Sequence, residues 1–232
     1  MSCLLAIETS TKVCSLALSA EGEVVFERIN AEGISHASHL GVFASEAVSF
    51  AKKNNLKIDA VAVSSGPGSY TGLRIGVSEA KGLCFGFDIP LIAISTLQLL
   101  ASQAILHSHS TINSLYCPMI DARRMEVYAA IYDENLNEIR AVQADIVEEN
   151  TYQAYLEENT VVFFGDGASK CKSVIQSPNA VFVDDIYPEA KAMIPLAEKA
   201  FAEKNFVDVA YFEPFYLKEF QATIAKNKLT IF

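Results

Sequence analysis

The chain has 232 residues, half of them hydrophobic and a fifth charged. That mixture describes a globular chain of one large or two small domains and excludes an intrinsically disordered one. Lysine and arginine total 18 against 28 acids, a net charge of −10, which argues against a chain that binds nucleic acid unaided.

Three strands are expected first. Residues 4–7 form an apolar run that ends at Glu8 and a polar turn over 9–12; residues 13–18 place Cys14, Leu16 and Leu18 at alternate positions; a turn at 20–23 precedes Val24 to Phe26. A helix follows over about 35–53, then an apolar strand at 59–63. Four glycines and a proline between Gly66 and Gly76 make the next turn, which leads into a helix reaching about 86. A strand near 89–94 and a helix over 95–106 close this half. The polar segment 107–114 is the expected boundary between lobes of 1–106 and 107–232.

Beyond that boundary a similar pattern returns. An apolar run at 115–120 ends in Asp121, a polar turn holds 122–124, a strand takes 125–132, and 133–135 turn again. From Glu8 to Glu21 is thirteen residues, and from Asp121 to Asp133 twelve. Each half also has a strand running into glycine, at 59–68 and 160–167. The pattern predicts an internal repeat of two α/β lobes, each a mixed sheet with flanking helices, in the actin/Hsp70/sugar-kinase arrangement. Two unrelated α/β domains are the alternative.

Several places are candidates for chemistry. The turn after the first strand, with Thr9, Ser10 and Lys12, has the hydroxyls of a phosphate-cradling loop but no glycine. A plain polar turn is its other reading. Asp121–Glu126 concentrates charge at a strand end, so Asp121 is the second-lobe candidate for a nucleotide contact, against a solvated hairpin turn. Gly72, Gly76 and Ala80 form a small-residue ridge on one helix face, and no GxxxxGK[ST] follows. On the preceding helix Leu40, Phe43, Ala47 and Phe50 share a face, while Val42, Ala44, Val48 and Ala51 widen it. Glu46 is its one firm charge between His36 and Ala51. That breadth points to a helix covered on more than one side. Leu40, Phe43, Ala47, Gly72, Arg74, Gly76 and Ala80 are accordingly the expected partner interface, against burial within their own lobe.

His36, His39, His107 and His109 lack the acids or spacing of a metal site, and no GxSxG elbow is present. No metal ligand and no catalytic residue is assigned. The five cysteines show no CxxC spacing; four lie in apolar runs, and Cys171, between two lysines, is expected at the surface. No stretch is long enough to span a membrane, and the first residues lack a basic n-region, so a cytoplasmic, reduced setting is expected.

The strings LLAIETST at 4–11, SSGPGSYTGLRIG at 64–76 and PFYLK at 214–218 closely resemble the bacterial TsaB family. The resemblance is dense to about residue 130, thin to about 210, and returns in PFYLK, where lysine replaces a more usual arginine. It implies the same two-lobed fold and a part in making N6-threonylcarbamoyladenosine beside the tRNA anticodon. It further implies a non-catalytic partner that docks TsaD, the transferase, through first-lobe helices, with the ATPase TsaE joining. A homodimer through the same helices is expected when that partner is absent, and tRNA contact only through the complex. No cofactor is expected to bind the chain alone firmly, although ATP or another nucleotide fits the complex. A nucleotide-dependent transferase or ATPase active by itself is the second reading, and a glycoprotease-like metallopeptidase the third.

Overall fold

The structure, a computed structural model, describes residues 2–32, 36–107 and 114–218. The first sheet contains β1 (Cys3–Glu8), β2 (Cys14–Ala20), β3 (Glu23–Asn30), β4 (Ala60–Gly66) and β5 (Leu91–Ser95), in the order β3-β2-β1-β4-β5. The second contains β6 (Ser114–Asp121), β7 (Glu126–Tyr132), β8 (Glu138–Ile146), β9 (Thr160–Phe164) and β10 (Ala180–Phe182), in the order β8-β7-β6-β9-β10. In each, the first three strands in sequence pair antiparallel and the last two add in parallel. The two sheets share one topology. The expected repeat of lobes is present.

β1 is buried along its whole length, so it reads as a continuous apolar run instead of an alternation. Its alternate side chains serve opposite layers. Leu5 and Ile7 meet α1 (His36–Lys53) and α2 (Tyr70–Phe87), whereas Leu4 and Ala6 meet α5 (Ala190–Ala202). α2 starts where the Ser69 hydroxyl accepts the Gly72 N–H at 3.2 Å and stops at Asp88, whose φ is 54°. α3 (Thr96–His107) lies between the lobes. Leu99 packs with the α5 cluster, and Leu97, Leu100, Ala101 and Ala104 pack against Tyr116, Ile120 and Ala130 of the second sheet. Buried or half-buried at every position over 96–105, it is a core helix shared by both halves.

Two expectations need correction. The second lobe is not contiguous over 107–232, because α5 lies on β1, β2 and β5, the Ala190 N–H donates to Ser15 Oγ at 2.9 Å, and Val207 bonds to the Leu91 carbonyl. Residues 190–215 return to the first lobe. Cys171 is buried, like the other four free cysteines, since its flanking lysines reach sideways to Asp121 and Asp184 while its thiol joins the second-lobe core. Most of the polar segment expected to divide the lobes, residues 108–113 with His109, lies outside the described residues. β8, β10, α5 and the one-turn α4 (Gln153–Leu156) were not legible in the strand-and-turn pattern.

Candidate functional site: the cleft between the lobes

The two β1-like strand ends face a cleft of about 1,230 Å³. Its first-lobe wall is the turn after β1 together with the start of α2. There the Glu8 carboxylate is fully buried. Its Oε1 accepts the Ser10 N–H at 2.6 Å and the Ser10 hydroxyl at 2.5 Å, and its Oε2 accepts the Ser64 hydroxyl. Burial outweighs those hydrogen bonds and pushes the Glu8 carboxyl up to about 7. Thr9 turns inward, with its hydroxyl donating to the Gly72 carbonyl at 2.8 Å. The Ser10 carbonyl accepts the Ser69 N–H at 2.6 Å. A Cβ on Gly68 would stand 2.5 Å from that same carbonyl oxygen.

These contacts decide what the turn can do. A phosphate cradle needs free backbone N–H groups, but the Ser10 N–H is taken by Glu8. Of the four nucleotide-type candidates, Thr9 and Ser10 are buried and bonded within the lobe. Lys12 and Asp121 reach the cleft already engaged. The Lys12 ammonium sits 4.1 Å above the Tyr187 ring, and Asp121 pairs with Lys170. The Tyr187 contact is also the main reason the Lys12 ammonium titrates above its ordinary value.

The second-lobe wall is the turn between β6 and β7. Arg123 and Arg124 hold φ values of 70° and 51°, the Ala122 N–H donates to the Glu126 carbonyl, and the Glu126 N–H donates to the Arg123 carbonyl. Behind it, Asp166 Oδ1 accepts the Asp121 N–H at 3.0 Å, and burial raises the Asp166 carboxyl. Gly165, at φ 94°, lies so close to β6 that a Cβ would run into the Met119 carbonyl. The glycines around Asp166 serve this packing.

PFYLK crosses the mouth of the cleft, a role with no signal in the sequence. The Phe215 N–H donates to the Ser65 carbonyl at 2.7 Å, Tyr216 lies 4.9 Å from the Tyr70 ring, and the Lys218 ammonium binds the Glu126 carboxylate. Upstream, Lys81 Nζ donates to the Ala210 and Phe212 carbonyls at 3.0 Å each. The segment thus ties the first lobe to the second.

The interface expectation is corrected in its residues. Leu40, Phe43, Ala47, Gly72, Gly76 and Ala80 are buried in their own lobe. A Cβ on Gly72 would meet the Thr9 carbonyl, and one on Gly76 the Thr9 hydroxyl, so the ridge exists to seat α2 on the β1 turn. Arg74 is exposed, and its guanidinium donates to the Tyr70 hydroxyl at 2.8 Å. The outward faces of the two helices carry other residues. Gly41, Gly82 and Gly86 face open space, Val42 is 54% exposed and Phe85 87%. His36 and His39 hydrogen-bond to the Thr11 carbonyl and the Asn30 side chain. Among the described residues no group of three or more His, Cys, Asp or Glu is placed to hold a metal ion, and no helix is long and apolar enough to cross a membrane.

A family model described as TsaD, tRNA N6-adenosine threonylcarbamoyltransferase, matches residues 31–226. A protein of Escherichia coli K12 named tRNA threonylcarbamoyladenosine biosynthesis protein TsaB is 33% identical over 93% of this chain and 94% of its own length. The chain belongs to the TsaB family. A like-named protein of Haemophilus influenzae is 31% identical over 93% of each chain. A crystal structure from Pseudomonas aeruginosa, titled as an uncharacterized protein with similarity to the peptidase YeaZ, superposes with a TM-score of 0.81 at 27% identity. It covers 94% of this chain and is itself covered completely. TsaB-family membership thus extends through residues 130–210, where the sequence strings are thin.

Proposed function

We propose that this chain takes part in tRNA N6-threonylcarbamoyladenosine biosynthesis as a non-catalytic partner of a TsaD-type transferase. The outer faces of α1 and α2 form the docking surface. One observation carries the reading: three helical glycines, Gly41, Gly82 and Gly86, face open space beside exposed Val42 and Phe85. Glycine inside a helix costs about 1 kcal/mol relative to alanine. At Gly72 and Gly76 a close neighbour explains that cost, but at the outward glycines nothing within this chain does. A partner helix brought close to the backbone supplies the reason. The internal bonding of Glu8, Thr9 and Ser10 supports a first-strand turn kept for structure. TsaE and any nucleotide enter through the transferase side of the assembly, and a second copy of this chain takes the same surface when the transferase is absent.

Gly82→Leu tests the docking surface, because it adds bulk where the chain itself has room. The variant should keep its melting temperature and lose co-elution with the transferase in size-exclusion chromatography. Unchanged co-elution would move the docking surface elsewhere.

A further inference from the structure

The interlobe cleft gathers cations that the sequence scatters. Lys12, Arg123, Arg124 and Lys218 line it together with three carboxylates, Asp121, Glu126 and Asp166. Two of those acids are already neutralised, Asp121 by Lys170 and Glu126 by Lys218. Asp166 is drawn inward onto the Asp121 N–H. Among the described residues neither Arg123 nor Arg124 places its guanidinium in an ion pair or hydrogen bond. In a chain of net charge −10, two adjacent arginines without a counter-ion are the local exception.

Their backbone adds to the anomaly. Both hold positive φ in the β6–β7 turn, a conformation that Asn and Gly adopt far more readily than arginine. Left-handed geometry is unfavourable for a residue with a long side chain, and neighbouring like charges repel. Such strain persists where something outside the turn rewards it. Across the mouth, Tyr70 and Tyr216 stand as a ring pair, with Tyr128 on the second-lobe wall. A cationic groove with aromatic faces along it is the surface that holds single-stranded nucleic acid, phosphates on the cations and bases on the rings. At about 1,230 Å³ the cleft also exceeds the roughly 300–1,000 Å³ usual for small-molecule pockets.

We propose that the interlobe cleft binds a single-stranded segment of RNA. Arg123 and Arg124 take backbone phosphates, and Tyr216, backed by Tyr70 whose ring Arg74 covers, offers the stacking face. The proposal rests on the tRNA-modification reading above and names this chain's own RNA contact within it, in place of contact solely through the partner.

The test is fluorescence anisotropy of the full chain with a labelled anticodon stem-loop RNA of about 17 nucleotides, at about 50 and 200 mM salt. Wild type should bind with a Kd of roughly 1–100 μM at the lower salt. The double variant Arg123→Asn/Arg124→Gly should bind at least about tenfold more weakly, with the salt slope reduced by roughly 1–2. Its fold is protected, because Asn and Gly tolerate the positive φ at these two positions, so its melting temperature should stay level or rise. Arg123→Lys/Arg124→Lys should retain most of the binding. Equal binding by wild type and the Asn/Gly variant overturns the proposal, as does no binding by wild type at the lower salt. Displacement by ATP as effective as by unlabelled RNA overturns it in favour of a nucleotide pocket. Co-elution with the transferase separates the two readings: an Asn/Gly variant that loses RNA binding but still co-elutes leaves the docking surface standing, and a wild type that binds RNA but does not co-elute removes the docking surface alone.

Discussion

A single buried carboxylate sets a measurable property of this protein. Glu8 titrates near 7 in the folded chain, against an ordinary 4.5, because burial penalises its charge more than Ser10 rewards it. Between those two values the folded state keeps a proton that the unfolded state releases. Stability therefore falls as pH rises through that window, by up to about 3 kcal/mol at roughly 1.4 kcal/mol per pH unit. Glu8→Gln keeps an oxygen for the Ser10 N–H and carries no charge. Urea melts at pH 5 and pH 8 should show the wild type losing stability and the variant holding nearly level. Parallel losses in both would mean that another group titrates. The sequence marked Glu8 as a strand-end acid, but it could not show that Ser64, 56 residues away, would close over it. That depends on how β4 pairs with β1.

At the scale of elements, α2 separates two uses of glycine that look alike in sequence. Gly72→Ala drives a Cβ into the Thr9 backbone carbonyl, which cannot swing aside, and should cost several degrees in melting temperature, on the order of 2 kcal/mol. Gly82→Ala meets nothing within 4 Å and should gain about 0.5–1 kcal/mol from helix propensity. Thermal melts of the two variants decide this; equal effects would refute the distinction. Spacing revealed the ridge Gly72, Gly76 and Ala80 but not its direction, because i, i+4 periodicity defines a face without saying what lies opposite. The strand order was more legible, since acid-ended apolar runs and glycine turns recur in each half. β8 escaped because it is an edge strand with alternate exposed positions and three charged residues, Glu138, Arg140 and Asp145. α5 was missed as a first-lobe element because the strands it packs on, β1, β2 and β5, lie far earlier in the chain.

For the whole molecule, α3 makes the two lobes one unit. Leu97, Leu100 and Ala104 bury into the second lobe, while Leu99 joins the first. Neither half can expose that helix without unfolding part of its core. Calorimetry should show one transition, with van't Hoff and calorimetric enthalpies in agreement. Leu100→Ala should lower that single transition, at a cost of about 2–5 kcal/mol; two resolved transitions would contradict the shared core. The cleft is likewise a property of the whole: Lys12, Arg123 and Lys218 meet there from three distant parts of the chain, so no local run of charge announces them. The central claim is that this chain works by docking. The most direct measurement is N6-threonylcarbamoyladenosine in tRNA, read by mass spectrometry, from cells depleted of their own TsaB-family protein and supplied with variants of this one and its cognate transferase. Wild type, Gly82→Ala and Glu8→Gln should restore the nucleoside, and Gly82→Leu, folded as judged by its melting temperature, should not. Full restoration by Gly82→Leu together with loss in Glu8→Gln would contradict the account and place the working site in the first-strand turn.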